Sequence, residues 1–432
     1  AGSGLGTLGE REVRFAYQKT HTMRWPLAFA LCARMFGAPL GGAEQFHVAV
    51  TGTPGEIVVT WVTKDEAIST CKVEGVGSFE GAPRTYTDGG WQGVIHAVTL
   101  TGLKPSTTYR YACGGQGREL RTPPAAAALP VRALAIADLG RACDKPGCGN
   151  ATISALSGSV AGSADLLLHA GDIAYTSGDQ DIWDEYMREM DPSASRLPYM
   201  VCPGNHEHYY NFSGYRHRFD MPGPHAGDLQ KYERNLWGSY DIGGVHFVAF
   251  STEHLKLPGE IKQQVAFARE DLTRAAANRG QVPWIVAYGH KPLYCSTEDY
   301  YDCKIGSLHI RGLFEPLFRE FGVDIYLTGH LHNYERSWPV FNGTVGQQSY
   351  VNPRDTVHVV IGSAGDDEGL TDKWEACPAW SVKRDGRHVG FAEMNFANAT
   401  HLEFNYKDAA TGSLIDHFVL VKDRQRLDNV VV

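Results

Sequence analysis

The 432-residue sequence predicts an α+β protein in which a small β-sandwich precedes a larger α/β domain. Three observations support this prediction. Residues 45–121 alternate short β-rich runs with turn residues and show no helical period. Further along, apolar runs of strand length alternate with helical patterns, which favours a buried sheet covered by helices. Between the two regions, an alanine-rich stretch flanked by Pro123, Pro124 and Pro130 has the composition of a linker.

The first region contains β-rich segments such as Phe46–Val50 and Glu56–Val62, separated by turn residues. This pattern predicts a small β-sandwich. The segment Leu103–Tyr111 resembles the corner motif of fibronectin type III domains, and Trp61 is expected to pack between the two sheets. We therefore expect a fibronectin type III-like sandwich over residues 44–124 that acts as a packing scaffold. Binding of a carbohydrate or a protein partner is the alternative role.

In the second region, each of five short apolar runs ends at a residue that can bind a metal. These residues are Asp138, Asp172, Asn205, His290 and His330. In α/β sheets, ligands gather outside the carboxyl ends of the strands. The first three residues follow one another at intervals of roughly one βαβ unit. We therefore expect the five side chains to meet at one edge of a sheet.

Helical spacing also predicts helices over residues 260–279 and 313–321, and β-rich composition predicts strands at 356–361 and 401–406. The second domain is thus expected to span residues 130–432 and to include a C-terminal β-rich part.

Seven side chains supply carboxylate, phenolate, amide and imidazole donors: Asp138, Asp172, Tyr175, Asn205, His290, His330 and His332. Seven donors exceed the need of one ion, and with one shared carboxylate they supply about four to each of two ions. Mixed oxygen and nitrogen donors suit Fe, Mn or Zn. A pair of ions can clamp the attacking and leaving oxygens of a phosphoryl transfer. The pattern indicates a metal-dependent hydrolase.

Each donor alone also has an ordinary structural explanation. An aspartate after a strand can cap a helix, an asparagine can form a turn, and a tyrosine or histidine can pack in the core. The ordered combination of all seven favours the metal site. We interpret the remaining histidines of this region as structural or surface residues, among them His169, His208, His217 and His246.

Five blocks of this sequence resemble those of the purple acid phosphatases. They are Asp138–Gly140, Gly171–Tyr175, Gly204–Glu207, Gly289-His290 and Gly329–His332. The resemblance extends from about residue 44 onward and implies a four-layer α/β/β/α domain of the calcineurin-like metallophosphoesterases, preceded by a fibronectin-like domain as in plant-type members. The tyrosine at position 175 distinguishes the chain from related phosphodiesterases, which usually have a histidine where this chain has a glycine at position 140.

The resemblance implies a dinuclear Fe(III)–M(II) centre. It implies that Fe(III) is held by Asp138, Tyr175 and His332. It implies a bridging Asp172, and a divalent Zn, Mn or Fe held by Asn205, His290 and His330. His206 is expected to contact the phosphate and stabilise its charge, with Glu207 as an orienting group. The implied activity is that of an acid phosphatase, in which hydroxide bound at the two metals attacks a phosphate monoester.

One stretch departs from the plant-type pattern. Plant-type members carry further histidines shortly after the block that corresponds to Gly289-His290, and these help to bind phosphate or protonate the leaving group. Residues 294–303 of this chain are acidic and contain no histidine. The identity of the general acid therefore stays open between Glu298, Asp299 and a bound water.

Two other functions are compatible with the sequence: a phosphodiesterase on the same core, and a secreted binding protein with a vestigial hydrolase domain. The net charge of -9 argues against nucleic acid as a partner. No apolar run reaches the roughly 18–20 residues that a membrane span requires. We expect small phosphomonoesters as substrates, and a homodimer is left open.

The N-terminal residues resemble a leader. Met23–Ala33 has a basic start and an apolar stretch, and Gly41–Ala43 offers small residues for cleavage, as in a secretory signal peptide. Residues 1–43 are therefore expected to form a leader or signal-like segment. A disordered or docked N-terminal segment is the alternative.

Cysteine usage favours an oxidising compartment. Without Cys32 eight cysteines remain, among them the pairs Cys143/Cys148, Cys295/Cys303 and Cys71/Cys113, which are placed for disulfides. Glycosylation sequons begin at Asn150, Asn211, Asn342 and Asn398. We expect a secreted or vacuolar/lysosomal glycoprotein. The alternative is a cytosolic enzyme with reduced, buried cysteines.

Overall fold

The computed structural model describes residues 42–65, 68–160, 163–223, 235–253 and 259–423. The expected leader lies outside the described residues, except for its last two positions. Within these ranges, no helix combines the length and the apolar character needed to cross a bilayer.

The N-terminal region forms two facing antiparallel sheets. Its strands are β1 (Glu44–Val50), β2 (Ile57–Thr63), β3 (Thr70–Val73), β4 (Gly77–Glu80), β5 (Ala82–Arg84), β6 (Val94–Leu100), β7 (Thr108–Cys113) and β8 (Gln116–Arg121). They are arranged in the orders β1-β2-β6-β5 and β4-β3-β7-β8. Trp61 is fully buried and stacks on Phe46 and His96. The corner motif is present, since the Lys104 amide donates to Tyr109 Oη at 2.9 Å.

The described residues of the second region form two mixed sheets, a two-stranded antiparallel sheet and five α-helices. Its strands are β9 (Val131–Ile136), β10 (Leu166–Ala170), β11 (Tyr199–Cys202), β12 (Gly238–Ile242), β13 (Val245–Phe250), β14 (Trp284–Gly289), β15 (Ile325–Thr328), β16 (Tyr334–Ser337), β17 (Val340–Phe341), β18 (Thr344–Val345), β19 (Val357–Ile361), β20 (Ser381–Asp385), β21 (Gly390–Asn398), β22 (His401–Asp408) and β23 (Leu414–Val421). The helices in the described residues are α1 (Asn150–Ala155), α2 (Gln180–Ala194), α3 (Tyr209–Arg218), α4 (Ile261–Ala277) and α5 (Ser307–Phe321).

The two sheets have the strand orders β11-β10-β9-β21-β22-β23 and β12-β13-β14-β15-β19-β16-β20. Strands β9, β10 and β11 are parallel, and so are β13, β14, β15 and β19. The sheets pack face to face, because Phe396 of the first contacts both Phe247 and Trp284 of the second.

Helices cover the outer faces of this sheet pair. On one side, Tyr186 of α2 contacts His169 of β10. On the other side, Phe314 and Phe318 of α5 pack against Phe250 of β13. The layers therefore run helix, sheet, sheet, helix, as expected for an α/β/β/α domain. Alternate residues of β13 face the helices and the other sheet, which explains why this strand is apolar throughout.

Three disulfides are present in the described residues, and they join the pairs expected from the sequence: Cys71–Cys113, Cys143–Cys148 and Cys295–Cys303. The other two described cysteines are unpaired, Cys202 in the core and Cys377 at the surface. The first disulfide joins β3 to β7 across one sheet of the sandwich. The last closes a short loop that leads into α5.

Candidate active site

The ends of five strands deliver the predicted ligands to one place. Asp138 follows β9, Asp172 follows β10 and Asn205 follows β11 within two or three residues. In the second sheet, His290 directly follows β14 and His330 follows β15. Within each sheet these strands are parallel, so their carboxyl ends lie at the same edge.

The backbone is strained at four of the seven predicted ligands. Asp138 (φ 57°), Asp172 (φ 49°), Tyr175 (φ 51°) and His330 (φ 71°) all adopt left-handed conformations. Such conformations cost about 1–3 kcal/mol each for residues other than glycine and cluster at functional sites. Their concentration here indicates that the surrounding structure fixes these side chains for chemistry rather than for packing.

One half of the site is formed by Asp138, Tyr175 and His332. The Tyr175 hydroxyl lies 3.0 Å from Asp138 Oδ1 and 2.9 Å from His332 Nε2. Asp138 is completely buried, and its Oδ2 accepts the backbone N–H of His330 at 2.8 Å. A phenol, a carboxylate and an imidazole therefore point at a common position.

The other half is centred on His290. Its Nε2 lies 2.9 Å from Asp172 Oδ2 and 3.1 Å from Asn205 Oδ1, while its Nδ1 lies 3.1 Å from the carbonyl of Ala170. Donor atoms of Asp172, His290 and His330 all lie within 4.8 Å of one another, which is close enough to hold one ion.

The two halves form one site. Asp138 Oδ1 lies 4.0 Å from His290 Nε2, so the donors of the first half reach those of the second. The structure thus brings all seven predicted ligands together. The carboxylate of Asp172 lies in the second half, and its assignment as a bridge remains a prediction.

Two glycines make room for the carboxylates. A Cβ atom on Gly204 would lie 2.2 Å from Asp172 Oδ1, and a Cβ atom on Gly329 would lie 2.0 Å from Asp138 Oδ2. Neither glycine needs its conformational freedom here. The close approach of the carboxylate is the reason that no larger residue fits at either position.

Buried acids hold the ligands in place. Glu207 accepts the backbone N–H groups of Asp172 at 3.0 Å, Ile173 at 2.9 Å and Gly204 at 2.7 Å. This contact matches the orienting role expected for it. His332 Nδ1 lies 2.9 Å from the Gly369 carbonyl and 3.3 Å from Asp366, and these contacts fix the ring from the side opposite to Asp138.

His206 lies at the mouth of the site. Its backbone N–H donates to Asp172 Oδ1 at 2.7 Å, and its ring lies against Tyr175 with 4.4 Å between ring centres. Its Nε2 is 3.6 Å from Glu368, and within the part of the chain that the structure describes its Nδ1 is buried without a hydrogen-bond partner.

The charge balance of the site favours bound cations. Burial raises the pKa of Asp138 to about 7. Burial also opposes ionisation of Asp172, but the imidazoles, led by His290, outweigh it and lower its pKa. In the described residues, no lysine or arginine pairs with either carboxylate. In the described residues, protonated imidazoles are the cations that balance these buried carboxylates. The donors fit two metal ions, which would replace those protons as the source of positive charge.

Comparisons with known proteins match most of the chain. Family profiles match three consecutive parts of the chain: the purple acid phosphatase N-terminal domain at residues 43–125, the calcineurin-like phosphoesterases at 131–334, and the iron/zinc purple acid phosphatase-like protein C at 355–417. Mouse (Mus musculus) acid phosphatase type 7 is 37% identical over 418 residues, covering 88% of this chain and 91% of the mouse protein. Purple acid phosphatase 18 of Arabidopsis thaliana is 30% identical over 379 residues, covering 83% and 79%.

The chain belongs to the purple acid phosphatase family. Membership in this family confirms the predicted enzyme class, an acid phosphatase of the metallophosphoesterases. The family uses a dinuclear metal centre. The fold is confirmed as well, because the structure of a purple acid phosphatase from yellow lupin seeds matches with a TM-score of 0.79. That match has 22% identity and covers 89% of this chain and 75% of the lupin chain. The phosphodiesterase and vestigial-hydrolase alternatives are not favoured.

Four further polar residues reach the site of this phosphatase: Lys291, Asp302, Asp366 and Glu368. Asp366 lies five residues beyond the end of β19 at Ile361, so no apolar run ends at this acid and the sequence pattern does not mark it. Lys291 stands directly after His290, and only its contact with His330 reveals a connection to the site.

The acidic loop uses its residues differently from what the sequence indicated. Asp299 accepts the backbone N–H of Asp302 at 2.9 Å and acts as a cap for the turn that follows. Asp302 instead points inward, and its Oδ2 lies 2.9 Å from His330 Nε2. Of these two aspartates, Asp302 is therefore the one whose side chain contacts a predicted metal ligand.

Proposed function

We propose that this acid phosphatase holds Fe(III) with Asp138, Tyr175 and His332, and a divalent Zn, Mn or Fe with Asn205, His290 and His330, with Asp172 shared. The observation that carries the proposal is the position of Tyr175. Its hydroxyl lies within 3.0 Å of donors from Asp138 and His332. A phenolate beside a carboxylate is a hard ligand set that suits a trivalent ion.

When bound, the two ions would supply Lewis acidity and lower the pKa of the attacking water. The protein contributes fixed positions. Glu207 holds the turns that carry Asp172 and Gly204, and Asp366 orients the ring of His332. Because the ligands are fixed before substrate binds, little reorganisation is needed during the reaction.

His206 is proposed to bind the phosphate. Its ring lies beside Tyr175 and near Asp172, and its buried Nδ1 has no hydrogen-bond partner among the described residues. A cationic or hydrogen-bonding imidazole at this point would stabilise negative charge that develops on the phosphoryl oxygens.

We propose small phosphate monoesters as the substrates and a secreted or lysosomal/vacuolar location. The three disulfides support an oxidising compartment. Glycosylation is proposed at Asn150, Asn211, Asn342 and Asn398, all of which are exposed. A signal-like leader and a homodimeric state are part of the same proposal.

Metal analysis combined with visible spectroscopy tests the metal assignment. The purified enzyme is expected to contain iron and to absorb visible light through a tyrosinate–Fe(III) charge transfer. The Tyr175→Phe variant should lose this band, while Tyr209→Phe, which changes a tyrosine outside the ligand set, should keep it. A colourless enzyme that is fully loaded with metal and active would remove the Fe(III)–tyrosinate assignment.

Substrate comparison tests the activity itself. The enzyme should turn over p-nitrophenyl phosphate much faster than bis(p-nitrophenyl) phosphate. The reverse preference would establish the phosphodiesterase alternative instead.

A further inference from the structure

A lysine and an aspartate form an ion pair beside the predicted divalent site. Lys291 Nζ lies 3.2 Å from Asp302 Oδ1 and 3.4 Å from His330 Nε2. The lysine and aspartate side chains retain 21% and 29% of their exposure, so the pair lies at the mouth of the site rather than in the core. Its charged groups are therefore accessible to a molecule that enters the site.

The backbone of Lys291 is fixed on both sides. Its N–H donates to Thr252 Oγ1 at 2.9 Å, and its carbonyl accepts the hydroxyl of Tyr326 at 3.1 Å. It also directly follows His290 at the end of β14, so the lysine shares the rigid strand end that positions a predicted ligand.

Asp302 is fixed as well. It lies in the loop that the Cys295–Cys303 disulfide closes, and its N–H donates to Asp299. Because the position of Asp302 is fixed, its ion pair holds the flexible side chain of Lys291 in one orientation.

Lys291 is distinct among the cations near the site. Within the described residues, no other lysine or arginine approaches a predicted ligand to hydrogen-bonding distance. Neighbouring cations have acidic partners elsewhere: Arg141 pairs with Glu185, and Lys304 pairs with Glu375.

We infer that Lys291, positioned by Asp302, binds the additional anionic oxygen of a phosphate monoester and thereby makes the enzyme prefer monoesters over diesters. This inference rests on the proposed function. A monoester carries one more ionisable oxygen than a diester, in which a second ester group replaces it. A fixed ammonium group beside the reacting phosphate favours the more highly charged substrate, because charge-assisted hydrogen bonds are the stronger ones.

Steady-state kinetics on the metal-loaded enzyme distinguishes a role in monoester preference from a role that affects both kinds of ester equally. Lys291→Met should lower kcat/KM for p-nitrophenyl phosphate about 100-fold and kcat/KM for bis(p-nitrophenyl) phosphate much less. Lys291→Arg should retain most of the preference because it keeps the charge. Asp302→Asn should shift the preference in the same direction as Lys291→Met but by less, since the lysine remains. Lys304→Gln, on the same loop, is the matched control and should change neither rate.

Calorimetric binding of inorganic phosphate gives a second readout that does not depend on turnover. Lys291→Met should weaken phosphate binding about 10-fold at unchanged metal content. Equal losses for both esters, or unchanged phosphate affinity, would overturn the inference and leave Lys291 with a structural role. A wild-type enzyme that hydrolyses no monoester would instead refute the proposed function, while the phosphate titration would still decide the role of Lys291.

Discussion

The chemistry of this phosphatase depends on single residues that hold other residues in place. Glu207 illustrates this at the residue scale. It is buried, and it accepts three backbone N–H groups from the turns that carry Asp172 and Gly204. A carboxylate that gathers three donors keeps two strand ends at a fixed separation.

Replacing Glu207 with glutamine turns one of its two acceptor oxygens into a donor that faces backbone N–H groups. We expect metal affinity or activity to fall about 10–100-fold, as for other groups that orient metal ligands. Metal titration and kinetics of Glu207→Gln would show this. Glu185→Gln, which changes a partly exposed acid on α2, is the control and should leave metal affinity unchanged.

At this scale, the sequence was informative where a donor follows its own apolar strand. Asp138, Asp172, Asn205, His290 and His330 could be predicted because strand ends converge in parallel sheets. Asp302 could not, because its approach to His330 depends on how a disulfide-closed loop folds back over the strand ends. Several acids in that loop look alike in sequence, and only tertiary contact distinguishes them.

At the element scale, the turns after the strands need residues without side chains. The Gly329 turn after β15 lies against Asp138, and an added methyl group would overlap its carboxylate. By contrast, Gly312 lies on the exposed surface of α5, where a methyl group would meet no atom within 4 Å.

The two glycines should therefore respond in opposite ways to alanine. Gly329→Ala should displace Asp138 and abolish metal binding, whereas Gly312→Ala should stabilise the protein by about 0.5–1 kcal/mol because it favours the helix. Metal content and unfolding by denaturant measure the two effects. Full metal occupancy in Gly329→Ala would show that the turn can move and that the close approach is unimportant.

His246 links three elements of the second region through ion pairs. This residue of β13 lies 2.7 Å from Asp241 of β12 and 2.9 Å from Asp271 of α4. Burial opposes its protonation, but hydrogen bonds to the two aspartates outweigh burial and raise its pKa to about 9. The structural role expected for this histidine is consistent with these contacts.

Because the folded-state pKa of His246 lies above its ordinary value, the stabilisation is fully present below about pH 6.5 and is lost as pH rises towards 9. We expect His246→Gln to lower the free energy of unfolding by about 1–3 kcal/mol at pH 6 and by much less above pH 9. Denaturant titrations of both proteins across this range provide the measurement. A pH-independent difference would show that the charge contributes nothing.

Element boundaries were predicted well where apolar spacing defines them and poorly elsewhere. Helix α4 and strands β19 and β22 lie close to the expected ranges. Helix α5 begins at Ser307, six residues before the expected start, and its first turn carries the exposed Leu308. The disulfide-closed loop sets that start, and apolar periodicity contains no information about it.

At the scale of the whole molecule, the sandwich is joined to the catalytic domain by a buried arginine. Arg218 of α3 donates to Tyr86 and Gln45 of the sandwich, and its guanidinium lies 4.7 Å from the ring of Trp91. Asp184 of α2 provides its counter-charge at 2.8 Å. This contact supports the role of the sandwich as a packing scaffold for the helices that precede and follow the Asn205 turn.

Removing this cation leaves Asp184 buried without its partner. We expect Arg218→Met to lower the free energy of unfolding by about 3–5 kcal/mol, the usual cost of breaking a buried ion pair. Arg110→Met breaks an exposed pair with Glu119 and should cost at most about 1 kcal/mol. Similar losses in both variants would argue against Arg218 as the link between the domains.

The central claim is that seven side chains from two sheets form one dinuclear centre. Anomalous diffraction from crystals of the metal-loaded enzyme tests it most directly, with data collected on both sides of the iron absorption edge. We predict two peaks about 3.5–4 Å apart, with the Asp172 carboxylate in contact with both and iron at the peak beside Tyr175. A single peak, or peaks away from these side chains, would contradict the account.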